Sequence, residues 1–63
     1  MEINEFINEL NDLGFDPQTT TKIKVGVSIF STLKKELGDF ANKFQGVDFE
    51  LYSNLQENEI VLE

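Results

Sequence analysis

Carboxylates are the only side chains in this sequence whose number and spacing suit a chemical task. Glu2, Glu5, Glu9 and Asp12 recur at i, i+3, i+7 and i+10, the spacing of one helical face, and Asp16 follows them. Residues 1–18 hold these five acids and no base. Two kinds of chemistry use such groups. Paired carboxylates catalyse by acid–base exchange when a cleft raises the pKa of one of them. A row of ionised carboxylates acts instead through its field, attracting and orienting a basic surface.

The first kind finds little support. A chain of 63 residues has little material for a deep cleft. Histidine and cysteine are absent, which removes the usual general base, strong nucleophile and soft metal ligand. The glycines stand alone at 14, 26, 38 and 46, so no phosphate-cradling loop exists. The acid pairs Asp48/Glu50 and Glu57/Glu59 supply oxygen, but no twelve-residue calcium loop with its turn glycine and terminal glutamate surrounds them. The sequence therefore predicts no catalytic residue, no cofactor and no metal, and a protein that is not an enzyme.

Composition points the same way. Six phenylalanines and 40% hydrophobic residues describe one globular domain, 1–63, near the size at which a single core barely offsets chain entropy. The lack of cysteine favours a cytoplasmic location over a disulfide-stapled secreted one. Apolar runs are far too short for a membrane span, and no signal-peptide pattern opens the chain. Leu62-Glu63 resembles a cloning scar, so Glu63 carries no weight in the reading.

Formal charge is −7, and all five bases are lysine. Without arginine there is no two-pronged grip on phosphate, and the net charge repels polyanions, so direct nucleic-acid binding and anionic membranes are disfavoured. The charge is also uneven. Residues 1–18 sum to −5, 19–44 to +3 and 45–63 to −5.

The elements that would position the acids follow from apolar spacing. Ile3, Phe6, Ile7, Leu10 and Leu13 predict an amphipathic helix over 2–13, closed by Gly14 in the left-handed C-terminal position. Asp16-Pro17 reads either as a turn or as an N-cap with proline at the first helical position. In residues 19–29, Ile23, Val25, Val27 and Ile29 alternate with Lys22, Lys24, Gly26 and Ser28, the pattern of a half-buried strand. The competing helix would put Gly26 in its interior at a cost of about 1 kcal/mol.

Phe30, Leu33, Leu37, Phe40, Ala41 and Phe44 predict a second helix starting near Ser31, with Gly38 marking either close packing or a local break. Val47, Phe49 and Leu51, then Ile60 and Leu62, predict a hairpin. The expected fold is α+β in the order α-β-α-β-β, a three-stranded sheet covered on one face by two helices. Its first strand pairs parallel across the middle helix and its last two strands pair with each other. Phe6, Phe30, Phe40, Phe44 and Phe49 fall on buried faces, with Phe15 capping the core. Lys22 and Lys24 fall opposite Asp48, Glu50, Tyr52 and Glu59 on the other sheet face, where opposite charges can pair.

The acidic stripe is the remaining site candidate. Like charges three or four residues apart cost roughly 0.2–0.5 kcal/mol per pair, and no lysine in the helix relieves them. From Glu2 to Asp12 the carboxylates cover about 15 Å, comparable to the phosphate density of one DNA strand. The expectation is a protein-binding module, regulatory or inhibitory, that offers Glu2, Glu5, Glu9, Asp12 and Asp16 to a basic surface of another protein. The alternatives are a nucleic-acid mimic that blocks a DNA- or RNA-handling protein, and a structural subunit of a larger assembly. A homodimer is also expected, through the first strand or the hairpin, because so thin a core gains by self-association.

Overall fold

In the computed structural model, which describes all 63 residues, the first apolar stripe forms helix α1, Ile3–Asp12. Phe6 and Leu10 are fully buried, and Ile3 and Ile7 pack against the same core. Glu2 caps the helix through backbone only: its carbonyl accepts the Phe6 N–H at 3.1 Å. At the other end Gly14 takes φ +78°. Its N–H donates to Asn11 and that of Phe15 to Leu10, the paired bonds of a Schellman motif, and Phe15 folds back onto the core. The ring of Phe15 lies 6.3 Å from that of Phe44, as a cap on the core should.

Asp16 then makes a turn. Its Oδ1 accepts the Gln18 N–H at 2.9 Å, and its carbonyl accepts the N–H groups of Thr19 and Thr20. Strand β1, Lys22–Val25, buries Ile23 and Val25 and turns both lysines to the other face. The strand ends there. Helix α2 spans Val27–Leu37, so the alternation of Val27 and Ile29 belongs to a helix and not to a strand, and the helix starts four residues before Ser31.

The cause is tertiary. The carbonyl of Glu57 accepts the N–H groups of Ser28 and Ile29 at 3.0 and 3.3 Å, satisfying donors that a helix N-terminus would otherwise leave open. Gly26 makes this approach feasible. A Cβ at Gly26 would lie 1.8 Å from the Gln56 carbonyl oxygen and 2.7 Å from the Glu57 carbonyl carbon. Val27 is consequently an exposed β-branched residue on the outer side of α2, while Ile29 and Leu33 are buried.

The second helix also stops early. Gly38 adopts φ +107°, ψ +154°, a region closed to side chains with a Cβ, and the Lys34 ammonium ties down the Ala41 carbonyl beyond it. Phe40 therefore leaves the expected core position and is 100% exposed. Phe44 stays buried, but in a strand: β2 is Lys43–Phe44, joined to β3, Val47–Leu51, by Gln45 (φ 51°) and Gly46 (φ 82°). Two successive left-handed residues form a type I′ turn, whose twist matches a tight hairpin.

The sheet has four strands where three were expected, in the order β2-β3-β1-β4, with β4 at Ile60–Leu62. β1 runs parallel to β3 across α2, as the pattern predicted. The predicted pairing of the last two strands does not occur, because β1 lies between them and β4 pairs antiparallel with β1. Residues 52–59 carry the chain across the end of β1, where the Tyr52 N–H donates to Val25 and the Gly26 N–H to Glu59. With both its edges occupied, β1 has no edge left for a two-fold contact.

Phe6, Leu10, Ile23, Val25, Ile29, Leu33, Phe44, Val47 and Phe49 form one core on the helix-covered face. Each such large side chain stabilises the fold by about 1.5–3 kcal/mol on burial. Phe6 meets Phe44 edge to face at 5.3 Å, and Phe30 meets Phe49 at 5.9 Å. These contacts hold α1 and α2 against the sheet.

Candidate functional site

On the face away from the helices, the alternation of the strands brings bases against acids. Lys22 lies 3.1 Å from Glu50, Lys24 2.7 Å from Glu63, and Lys43 2.8 Å from Asp48. Lys43 and Asp48 are directly opposite across β2 and β3, whereas Lys22 reaches Glu50 on the diagonal. Hydrogen bonds to Glu50 and Glu63, with the charges of these acids, raise the pKa of Lys22 and Lys24 above the ordinary lysine value. The Lys24 ammonium correspondingly holds Glu63 below the usual carboxyl range. Glu63 thus belongs to the sheet's charge pattern, contrary to the reading that set it aside. Glu59 does not join these pairs; its Oε1 accepts the Gln56 N–H at 3.0 Å inside the connecting loop.

Helix α1 presents a different surface. Glu5, Glu9 and Asp12 are exposed helical residues, Glu2 is the exposed N-cap, and none of the four takes part in an ion pair. At 3.6 residues per turn they fall within an arc of about 80°. Asn4, Asn8 and Asn11 occupy the next arc, so the exposed side of α1 divides into a charged half and a neutral amide half. No base occurs in the last turn, and Glu9 and Asp12 therefore lie uncompensated near the negative end of the helix dipole.

Asp16 is exposed too, but it lies past the Schellman turn and its carboxylate is engaged by the Gln18 N–H. It borders the stripe and does not continue it. Of the lysines not paired across the sheet, Lys34 folds over the rings of Phe30 and Phe49 at 5.2 and 5.6 Å. Lys35 lies in a shallow hollow with Glu2, Asn4, Thr32 and Glu36, without an ion pair. That hollow brings both Lys35 and Glu36 of α2 beside the N-terminal end of the stripe. Helical spacing alone does not reveal this addition, because it depends on how the two helices pack.

No group of three or more histidine, cysteine, aspartate or glutamate side chains is placed to hold a metal ion. The other hollow is a wide, wholly polar one lined by Gln56, Glu57, Asn58 and Glu59. No helix is long and apolar enough to cross a membrane. No known family, curated protein or solved structure matches this chain.

Proposed function

We propose that this protein is a small binding module, regulatory or inhibitory and without chemistry of its own, that docks a basic surface of another protein through the acidic face of α1. Glu2, Glu5, Glu9 and Asp12 make the contact, with Asp16 at its border. The observation that carries this reading is the contrast in pairing. Three lysines are matched to acids on the sheet face, while the four acids of the stripe are left without a partner. Mutual repulsion opposes that arrangement. The helix dipole favours Glu2 and Glu5 at the N-terminal end but opposes Glu9 and Asp12, so folding stability does not account for the C-terminal half of the stripe.

A second reading, a nucleic-acid mimic, draws support from the same geometry. The carboxylates advance along about 15 Å of axis in steps of about 5 Å, wider than the roughly 3.4 Å rise per phosphate of one DNA strand but of the same order. Lys22 and Lys24, which would spoil such a mimic, point from the opposite side of the sheet and are already paired.

The test is capture from a native lysate with the wild-type chain and with the Glu5→Gln/Glu9→Gln/Asp12→Asn variant. A protein retained by the wild type, released by salt and lost with the variant supports docking through α1. Displacement of that protein by DNA selects the mimic. Equal capture by both chains rejects the acidic face as the site.

A further inference from the structure

Strand β4 is an open edge, and its backbone phase is fixed by its bonds to β1. The Glu63 N–H donates to Lys22 at 2.9 Å and the Glu59 carbonyl accepts from Gly26 at 3.0 Å, so residues 59, 61 and 63 turn their polar groups inward. Ile60 and Leu62 lie between them and turn theirs outward, where the sheet ends. This edge has no proline, no lysine and no covering element, and Val61 on its open face is 37% exposed; its protections are a length of three residues and the flanking charges of Glu59 and Glu63. The opposite edge strand, β2, has only two residues.

The side chains specify what fits. In an antiparallel addition, Glu59, Val61 and Glu63 stand at the close, non-hydrogen-bonded positions, where a facing side chain is nearest. A second copy of this chain is a poor occupant. Pairing two β4 strands about a two-fold axis at Val61, the register that uses both Ile60 and Leu62, sets Glu59 directly against Glu63 of the other copy. Basic residues at those two positions would instead meet opposite charge, sharing the half-exposed Glu63 carboxylate with Lys24 and the Glu59 carboxylate with the Gln56 N–H.

We infer that the β4 edge accepts an extended segment of a basic partner protein as a fifth strand, with lysine or arginine opposite Glu59 and Glu63 and apolar residues between. The outward N–H and C=O groups of Ile60 and Leu62 bind its backbone, and the two acids select its charge and register. This site is separate from the acidic face of α1 and stands or falls without it.

The probe is a synthetic β-hairpin closed by Asn-Gly, whose free edge reads Lys-Val-Thr-Val-Lys; preorganisation removes most of the cost of ordering it. Titration into the full chain, followed by amide NMR and hydrogen exchange, should shift the amides of Ile60 and Leu62 and slow their exchange at least tenfold, with much less change at Val61. A hairpin reading Glu-Val-Thr-Val-Glu should bind at least tenfold more weakly. Chemical synthesis of the chain with an N-methyl group on the Leu62 nitrogen blocks the outward donor, spares the bonds to β1, and should abolish binding while the spectrum stays folded. Three results would overturn the proposal: no response at Ile60 and Leu62, equal binding of the two hairpins, or a free chain that sediments as a dimer with these amides already protected.

Discussion

Two surfaces of this molecule carry several charges each and use them in opposite ways. On the sheet, the two-residue period and the pairing of β1 with β3 and β4 set lysines beside carboxylates at 2.7–3.1 Å. On α1, the three- and four-residue period repeats one sign, and the nearest unengaged base, Lys35, makes no ion pair. The first surface neutralises itself, as cross-strand pairs do when sequence alternates sign between strands. The second projects its field outward. The difference leaves the acids of the helix unpaired and engages most of the sheet's charges internally, and the proposed docking through α1 rests on it.

The contrast breaks most severely where the acidic helix is pinned to the sheet. Phe6 is fully buried against Phe44, so Phe6→Ala should cost about 3–5 kcal/mol in urea unfolding, a large share of the stability of so small a domain. A loss below about 1 kcal/mol would mean that α1 is not held as described.

Gly26→Ala attacks the other surface. The added methyl collides with the Gln56 carbonyl, so the loop must move and β4 with it, separating Glu63 from Lys24. We expect about 1–3 kcal/mol of destabilisation, together with loss of hydrogen-exchange protection at the Gly26 amide, which now donates to Glu59. An alanine variant as stable as the wild type would contradict the loop placement.

A smaller and opposite effect belongs to the stripe. Replacing Glu9 or Asp12 by lysine removes a like-charge pair and complements the helix dipole, so each should stabilise the isolated fold by roughly 0.3–1 kcal/mol while weakening docking. Stability that falls instead would show that these acids already have a favourable partner.

The smallest effect concerns pH. Glu63 is held below the ordinary carboxyl range by its bond to Lys24, so the stability it adds is whole above the unfolded glutamate pKa. That contribution disappears as pH falls through the depressed folded value. Lys22 and Lys24 are raised above 10.5, so on the alkaline side their contribution is whole below 10.5 and is lost as pH rises through the raised values. NMR titration of the Glu63 side chain should give a midpoint that moves upward in Lys24→Met. An unmoved midpoint would disprove the pair.

What the sequence discloses and what it hides divide along the same line as local and distant causes. Helix α1, its end at Gly14 and the fold-back of Phe15 depend on neighbours within six residues and are legible. So are the inward Ile23 and Val25 and the outward lysines of β1. Val27 and Ile29 misled because the carbonyl that starts their helix comes from Glu57, roughly thirty residues on. Phe40 fits a helical stripe by spacing alone, while the conformation of Gly38 ends the helix before reaching it. Gly46 lies just beyond the helical spacing, where a helix terminus is expected, yet with Gln45 at positive φ it closes a type I′ turn. The position of β4 depends on which strand it pairs with, and two short alternating segments do not encode that. Of the candidate site, the common face of Glu2, Glu5, Glu9 and Asp12 follows from helical geometry. Their lack of lysine partners, the nearness of Glu36 and the diversion of Asp16 into a turn are tertiary facts.

The most direct test of the account is the salt dependence of affinity for the captured basic partner, compared between the wild type and the Glu5→Gln/Glu9→Gln/Asp12→Asn variant. Between about 0.05 and 0.5 M salt the Debye length shrinks severalfold, so wild-type affinity should fall steeply, the variant should start weaker, and the two should converge at high salt. Identical, flat curves for the two chains would contradict the claim that the unpaired acids of α1 make the contact.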